Sequence, residues 1–351
     1  DNCGVATVTV SETRSGAGSA SSPLIITRTF TATDSHGNHA DAVQTITVID
    51  STPPTVSAPA NITVSNDPGV CSATLDPGTA TAQDNCAGAT VSGARSDGQP
   101  LNAPYPKGTT TITWTATDAA GNTATAPQTV TVNDTEKPVL QLPANIVVGT
   151  DPGVCSAVVN FTVTATDNCA GTTVTTSVPS GTTFPKGTTT VTATATDASG
   201  NTSTGSFTVT VNDTEAPKIT LNGQTLSMWP PNHRYNTFQV TSFVTGVSDN
   251  CDTGLSVSNV VIENVTSDEI ENGNGDGNTM NDIVIAADCK SVQLRAEREG
   301  NGNGRVYTIT FKVRDEAGNV GRATAKVVVA RNRGEAPIDS GVHYTVNGSC
   351  P

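Results

Sequence analysis

The sequence is poor in aromatic residues, in basic residues and in long apolar runs, and each shortage excludes a class of protein. Aromatics are 4% of the 351 residues, so every hydrophobic core must be thin. Lys and Arg number 18 against 32 Asp and Glu, and the net charge of -14 excludes the basic face that nucleic acid or an anionic membrane needs. No stretch approaches the roughly 20 apolar residues of a membrane span. Divalent cations are therefore the expected partners.

Catalytic motifs are missing as well. The chain has no GxSxG, no P-loop, no HExxH and no GxGxxG in a βαβ context, and its four His have no metal-ligand spacing. We therefore predict that the protein is not an enzyme.

The remaining composition predicts a secreted, all-β protein. Eight Cys occur in separated pairs without a CxxC cluster, which predicts disulfides and an oxidising compartment, hence secretion or the cell surface. Thr and Val dominate long stretches, and Gly and Pro punctuate them, as in short strands joined by tight turns. The chain opens at Asp1 with neither Met nor an apolar signal segment, which predicts a processed product or a fragment.

Two segments of the chain repeat one another closely. YPKGTTTITWTATD at 105–118 matches FPKGTTTVTATATD at 184–197, and both follow a DPGVCSA and a DNCAG motif. The linker Asp recurs at Asp50, Asp134 and Asp213, intervals of 84 and 79 residues by subtraction, close to the size of a minimal sandwich. Complete repeats are therefore predicted at 51–134 and 135–213.

This set of motifs resembles the hyalin-repeat (HYR) family over about residues 1–213. The resemblance is carried by the PANI opening strand, the VCSA and DNC cysteines, the KGTTT strand and the TATDxxGN turn, which occur in one order. It implies an immunoglobulin-like fold and an extracellular location in adhesion or large surface proteins, and it implies little about a ligand. We expect tandem immunoglobulin-like β-sandwich domains arranged as an elongated rod.

The two ends of the chain depart from the repeat. Residues 214–333 keep a DNC motif and a DEAGN turn but lack VCSA and carry an insertion from Glu271, which predicts a divergent immunoglobulin-like domain. Residues 1–50 start at a DNC motif, which predicts an incomplete domain without its first two strands. Residues 334–351 imitate a linker, an opening strand and a repeat cysteine. The predicted donor-strand residues of this tail are Val342, Tyr344 and Val346, which alternate with polar neighbours.

Small sandwiches need staples, because a unit of about 80 residues buries little apolar surface. We predict the disulfides Cys71–Cys86 and Cys155–Cys169, each closing a loop of about 15 residues worth about 3 kcal/mol, and a third disulfide, Cys251–Cys289. Cys3 and Cys350 then remain, which predicts a disulfide between successive chains.

Three acidic segments are expected to meet at one end of each domain and to bind calcium. In a sandwich of this topology the DNC turn, the DxxGN turn and the incoming linker share that end, and calcium takes about 6 to 8 oxygens. Carboxylates packed there without a cation would repel each other. The predicted ligands are Asp50, Asp84, Asn85, Asp118 and Asn122 at the first junction; Asp134, Glu136, Asp167, Asn168, Asp197 and Asn201 at the second; and Asp213, Glu215, Asp249, Asn250, Asp315 and Asn319 at the third.

Simpler interpretations accompany these sites. Thr52 replaces the linker Glu at the first junction, so that site should be weaker. DxxGN is also a common hairpin turn whatever its function. The insertion could hold calcium through Asp276 and Asp282, or be a flexible loop.

The matched ends predict a filament in which the tail of one chain completes the first domain of the next, a heterologous contact that propagates without closing. Glu335 would then complete a calcium site with Asp1, Asn2, Asp34 and Asn38 of its neighbour. The alternative is a fragment of a larger calcium-dependent adhesin, with Trp229 and Tyr235 forming either a carbohydrate platform or part of a buried core. Sequons such as Asn201 add glycans as candidate partners.

Overall fold

The structure is a computed structural model that describes residues 7–18, 22–86, 88–272, 279–300 and 302–350. These residues form β-strands and two single-turn 3-10 helices, which confirms the all-β prediction. Within the described ranges, no helix is long and apolar enough to cross a bilayer. The chain divides into two compact units: the first extends to Gln141 and adds Thr164–Thr175 and Thr194–Thr204, and the second contains Leu142–Val163, Thr176–Ala193 and the chain from Gly205 onward.

The described residues between 7 and 48 form three strands of one antiparallel meander. Its strands are β1 (Thr7–Ser15), β2 (Leu24–Thr33) and β3 (His39–Val48), in the order β1-β2-β3. Because side chains alternate between the faces of a strand, one face carries mostly Thr and Ser, with Ile25 and Val43 among them, and the other carries Val, Ile, Leu and Phe together with Glu12, Arg14, Arg28 and Gln44. Val8 and Val10 on the apolar face are 62% and 57% exposed. Among the described residues, therefore, no second layer covers this face.

The second repeat, residues 51–134, is a sandwich. Its strands are β4 (Thr55–Ser57), β5 (Ile62–Ser65), β6 (Ser72–Ala73), β7 (Thr81–Gln83), β8 (Thr90–Arg95), β9 (Tyr105–Pro106), β10 (Gly108–Thr117) and β11 (Thr123–Asn133). One sheet has the order β5-β11-β10-β8, with β5 parallel to β11, and the pairs β4-β7 and β6-β9 lie opposite. The core contains Tyr105, Ile112, Trp114 and Val130, and buried Gln128 accepts the Trp114 indole hydrogen bond at 2.9 Å.

The third repeat, residues 135–213, has the same topology. Its strands are β12 (Val139–Gln141), β13 (Ile146–Gly149), β14 (Ser156–Val159), β15 (Thr164–Thr166), β16 (Thr173–Thr176), β17 (Thr182–Pro185), β18 (Gly187–Thr196) and β19 (Thr202–Asn212). The sheet order is β13-β19-β18-β16, with the pairs β12-β15 and β14-β17. Phe184, Val191 and Phe207 lie in its core.

The fourth segment, residues 214–333, has the largest core and shares its main sheet with the C-terminal tail. The elements are β20 (Lys218–Leu221), β21 (Leu226–Met228), β22 (Tyr235–Gln239), a 3-10 turn at Val240–Ser242, β23 (Val244–Ser248), a 3-10 turn at Val257–Asn259, β24 (Val261–Ser267), β25 (Ile283–Ile285), β26 (Ser291–Arg295), β27 (Arg305–Arg314), β28 (Val320–Val329) and, in the tail, β29 (Tyr344–Asn347). The sheets have the orders β21-β28-β27-β24-β29, β22-β26-β25 and β20-β23. Phe243, Ile309 and Phe311 are among its fully buried side chains.

The tail does not remain free as a donor strand, so that prediction is wrong for this structure. Tyr344 and Val346 lie in β29, which pairs antiparallel with β24 and packs against the core of the fourth segment. Cys350 bonds to Cys289 of the same chain rather than to Cys3 of another. Val342 precedes the strand and is 67% exposed. The alternation read as a donor-strand signal instead fits the half-buried edge strand of the tail's own sheet.

Candidate metal centres at the junctions between repeats

Each DxxGN motif forms a tight turn organised by its own carboxylate. In the third repeat, Asp197 Oδ1 accepts the backbone N–H groups of Ser199 and Asn201, and Oδ2 accepts the Asn201 side-chain amide at 2.8 Å. Burial raises the pKa of Asp118 and Asp197, but the bonds from the turn Asn and the backbone outweigh it, so that the net pKa of each is lowered. The hairpin-turn interpretation of the motif therefore holds in each repeat.

The Asn of each turn also ties down the incoming linker. Asn201 Nδ2 donates to the backbone carbonyl of Asp134 at 3.1 Å, and Asn122 and Asn319 do the same to Asp50 and Asp213, each at 3.2 Å. These three Asn were predicted as calcium ligands. Their amide nitrogens instead join turn to linker and so position the linker carboxylate.

The DNC motif reaches back to the preceding repeat. Asn168 Nδ2 donates to the carbonyl of Val70 at 2.9 Å, and Asn250 Nδ2 donates to that of Val154 at 2.8 Å. Both accepting carbonyls belong to DPGVC loops, at 67–71 and 151–155. The DNC Asn is therefore a link between consecutive repeats.

Several oxygens of the DNC motifs are buried without a hydrogen-bond partner. Among the described residues these atoms are Asp84 Oδ1, Asn168 Oδ1, Asp249 Oδ2 and Asn250 Oδ1. A buried oxygen left unpaired costs free energy, so such atoms are rare in folded proteins. Their recurrence at all three junctions indicates that these oxygens are available to a ligand.

Acidic groups converge on the same places. The sets, whose ligand atoms lie within 4.8 Å of one another, are Asp50, Asp84 and Cys86; Asp134, Asp167 and Cys169, whose sulfur is in a disulfide; and Asp213, Asp249 and Asp315. The side chains of Asp134 and Asp213 are fully buried, and Lys107 and Lys186 approach them at 3.5 and 3.4 Å. One Lys leaves the net charge of each of these two clusters negative. Carboxylate and amide oxygens so arranged can hold a hard cation such as calcium.

The linker Glu has a different role from the one predicted. Glu136 accepts the backbone N–H of Gly69 at 3.0 Å, and Glu215 accepts that of Gly153 at 2.7 Å. Both bonds reach the DPGVC loop of the preceding repeat. The prediction of Glu136 and Glu215 as metal ligands is therefore corrected to an anchoring role, because these carboxylates bind the loop and are not among the clustered ligand atoms of the described residues.

Two of the three described disulfides join consecutive repeats and the third joins the fourth segment to the tail, so the three predicted pairings are wrong. The described bonds are Cys71–Cys169, Cys155–Cys251 and Cys289–Cys350. Within the second repeat, the backbone carbonyl of Cys71 accepts a hydrogen bond from the backbone N–H of Lys107, the residue just before β10. Cys86 instead lies beside Asp118, the residue just after β10. Ten strand residues span about 30 Å, and a disulfide requires Cα atoms within about 7 Å. Cys71 and Cys155 therefore bond across the junctions nearest to them, to Cys169 and Cys251.

The first junction is built from fewer parts. Cys86 is exposed and is the free cysteine of the described residues. Its pKa is raised, first by a hydrogen bond to Asp50 and then by burial and the neighbouring carboxylates. Thr52 stands where the other linkers have Glu, and Pro23 stands where they have Lys107 or Lys186. The turn is the same, since Asn122 still binds the linker.

The structure does not test the roles of some predicted site residues. Asp1, Asn2 and Cys3 lie outside the described residues, as does Asp276. Asp34 and Asn38 form the same turn as their counterparts, and a hydrogen bond from Asn38 is the main cause of the lowered pKa of Asp34. The joint site of these residues with Glu335 stays a prediction.

The fourth segment corrects two further interpretations. Asp282 is fully buried in an ion pair with Arg305, so it is not a loop ligand for calcium. Burial and the adjacent Glu297 raise its pKa to about 6, against the lowering effect of Arg305. Trp229 is 45% exposed, which contradicts its place in a buried cluster, and a carbohydrate platform stays a prediction. Sequence reasoning missed this buried charge network, because its members are scattered from Glu269 to Arg305.

Comparison with known proteins places the two complete repeats in a family. The HYR domain model matches residues 49–132 and 133–211. Hyalin from Strongylocentrotus purpuratus is 36% identical over 213 residues, covering 56% of this chain and 17% of that protein. Hyalin from Lytechinus variegatus is 36% identical over 203 residues, covering 55% of this chain and 38% of that protein. The chain thus spans less than half of either relative.

Solved structures give distant matches. Protocadherin Gamma B2 extracellular cadherin domains 1-5 align with a TM-score of 0.36 at 12% identity, covering 94% of this chain and 73% of that one. Drosophila N-cadherin EC1-4 aligns with a TM-score of 0.32 at 12% identity, covering 87% of this chain and 83% of that one.

Proposed function

From the two HYR domains, we propose that this chain is a non-catalytic structural part of an extracellular adhesion-type repeat protein whose junctions bind calcium. The 36% identity to two hyalins supports the structural role, and three disulfides support an oxidising, extracellular location. The DxxGN, DNC and linker motifs would then serve to join one repeat to the next.

The calcium proposal is carried by the buried, unpartnered oxygens beside the linker carboxylates. At the third junction, Asp249 Oδ2 and Asn250 Oδ1 are such atoms, and Asp213 and Asp315 supply further carboxylates. At the second, Asn168 Oδ1 is buried without a partner, and Asp134 and Asp167 supply carboxylates. A calcium ion would satisfy these oxygens and offset the repulsion between the carboxylates, thereby linking the DNC turn to the linker.

Calorimetry of the full chain, in calcium and in EDTA, tests this function. Calcium at about a hundredfold above its Kd should raise the free energy of unfolding by about 2.7 kcal/mol for each site. Asp249→Asn is the sharpest variant: Asp249 Oδ1 accepts the Cys251 and Asp252 N–H groups and would remain, while the amide replaces the free oxygen.

The matched control is Asp252→Asn, which alters a neighbouring carboxylate outside the cluster. Asp249→Asn should lower the calcium stoichiometry by one and should melt like the parent in EDTA, whereas Asp252→Asn should bind calcium fully. Absence of a calcium-dependent shift in the parent, or full binding by Asp249→Asn, would refute the calcium sites.

Assembly of chains into a filament is a second candidate, favoured by the uncovered apolar face of residues 7–48. The C-terminal tail is not the donor that we propose for it, since β29 and Cys350 are engaged within their own chain. Any assembly through the first sheet needs a different complement.

A further inference from the structure

The three-stranded sheet of residues 7–48 has an apolar face with no covering layer among the described residues. This open face carries Val8, Val10, Leu24, Ile26, Phe30, Ile46 and Val48, together with the polar residues Glu12, Arg14, Arg28 and Gln44, of which Arg14 and Arg28 form ion pairs with Glu12. Val8, Val10 and Val48 are 62%, 57% and 46% exposed. Water contact over so many neighbouring apolar side chains is unfavourable and marks a binding surface.

The second repeat shows what covers the same face. Its β10–β11 register places Trp114 opposite Ala126 and Thr110 opposite Val130, as β2–β3 places Phe30 opposite Ala42 and Ile26 opposite Ile46. There the face is buried: Trp114 is 3% and Val130 is 0% exposed. The residues that pack against it include Val56, Ala58, Ile62, Val64, Ala73, Leu75 and Ala80 from the opening half of that repeat, residues 51–83, and Leu101 and Tyr105 from the segment before β10.

The Gln at the centre of the open face also fits the opening half of a repeat. Gln128 donates to the carbonyls of Ala60 and Pro77, both at 2.9 Å, and both acceptors lie in the opening half. Gln44 occupies the equivalent position, paired with Arg28 as Gln128 is with Ile112. The first sheet therefore carries a Gln suited to the carbonyls of an opening half.

A cavity continues the open face into the first junction. It measures about 550 Å³ and is lined by Leu24, Val48, Ile49, Thr52, Asn85 and Cys86, among others. At the second junction, the equivalents of Thr52, Asn85 and Cys86 are Glu136, Asn168 and Cys169. These bind Gly69, Val70 and Cys71 of the DPGVC loop. The cavity thus lies where the loop of an opening half is held.

We propose that the open face and this cavity bind the opening half of a HYR repeat, an extended polypeptide patterned like residues 51–83, and that its loop cysteine forms a disulfide with Cys86. Such a segment adds apolar residues to the face, carbonyls to Gln44 and a carbonyl to Asn85. The disulfide forms by exchange with a small disulfide such as oxidised glutathione. Two thiols lose two protons and two electrons, and the small disulfide accepts them and leaves as two thiols. The proposal does not depend on calcium.

The test uses the full chain and a peptide of residues 51–83 of this sequence as the probe, in a glutathione redox buffer. Mass spectrometry with peptide mapping should find the probe on Cys86, joined through its Cys71. Cys86→Ser should abolish that adduct, and a Cys71→Ser probe should still bind noncovalently. A scrambled probe that retains its cysteine should form no adduct.

Variants on the two faces of β1 separate docking from nonspecific adhesion. Val10→Asp lies on the open face and should weaken binding of the Cys71→Ser probe by at least about tenfold. Thr9→Asp lies on the opposite face and should leave binding unchanged, with circular dichroism checking that both variants fold. Equal binding by both variants, an adduct with the scrambled probe, or a dimer of the chain that buries this face without the probe would overturn the proposal.

Discussion

The first and second junctions use the same turn but differ in what reaches them from the preceding repeat. In both, an Asn of the DxxGN turn holds the linker backbone, through Asn122 at one and Asn201 at the other. Only the second adds a loop from the repeat before it, through Glu136, Asn168 and the Cys71–Cys169 bond. The comparison separates a local layer of contacts, which a repeat forms with its own linker, from a second layer of contacts, which requires the preceding repeat.

Removing the disulfide should have the largest effect on this comparison. In the double variant Cys71→Ser/Cys169→Ser, we expect the free energy of unfolding to fall by up to about 5 kcal/mol, because the bond spans 98 residues of chain. Chemical denaturation measures the loss. Cys86→Ser at the first junction is the matched control and should change stability by less than about 0.5 kcal/mol. Equal losses of stability in the double variant and in Cys86→Ser would mean that the two junctions do not differ in the contacts that require the preceding repeat.

Removing the turn amide should have an intermediate effect and should be the same at both junctions. Asn201→Ala removes the side-chain donor to Asp134 and Asp197, and Asn122→Ala removes its counterpart. Two lost bonds predict a fall of about 2 kcal/mol in each case. Thermal unfolding measures it, with Thr63→Ala at an exposed strand position as the control. A loss confined to one junction would contradict a shared local layer.

Lowering the pH should have the smallest effect on stability, and the effect should be the same at both junctions. The folded-state pKa of Asp118 and of Asp197 is lowered, so each contributes stability above its ordinary pKa of 3.8 that is lost as the pH falls through the lowered value. Urea denaturation from about pH 5 to about pH 2 should follow this loss. In the double variant Asp118→Asn/Asp197→Asn, the free energy of unfolding should change less with pH than in the parent. An unchanged dependence of the free energy of unfolding on pH would show that protonation of these carboxylates is not linked to folding.

Local features of the junctions could be predicted from the sequence, and long-range pairings could not. Alternation in β10 and β18 marks half-buried strands, and DxxGN marks turns, because both signals act between residues a few positions apart. The meeting of Asp134 with Asp167 followed from the assumed topology. Disulfide pairing failed because cysteines 15 residues apart by number, Cys71 and Cys86, lie at opposite ends of a ten-residue strand.

The roles of individual polar residues were also beyond the sequence. Glu136 and Asn201 carry oxygen atoms and sit in acidic motifs, so composition could not tell a ligand from an anchor. The choice depends on a backbone N–H at Gly69 and a carbonyl at Asp134, which only the folded junction brings within reach. Similarly, the alternation of Tyr344 and Val346 describes an edge strand equally well in its own sheet or in another chain.

The overlapping disulfides have a mechanical consequence. The loops closed by Cys71–Cys169 and Cys155–Cys251 share residues 155–169, so a pull applied at Cys71 and Cys251 passes through one bond, back along 14 residues (169 minus 155) and out through the other. Those 14 residues extend to about 50 Å, whereas the 180 residues between the two ends (251 minus 71) would extend to about 600 Å. Even with both repeats unfolded, the tether between these points would remain short until the bonds are reduced.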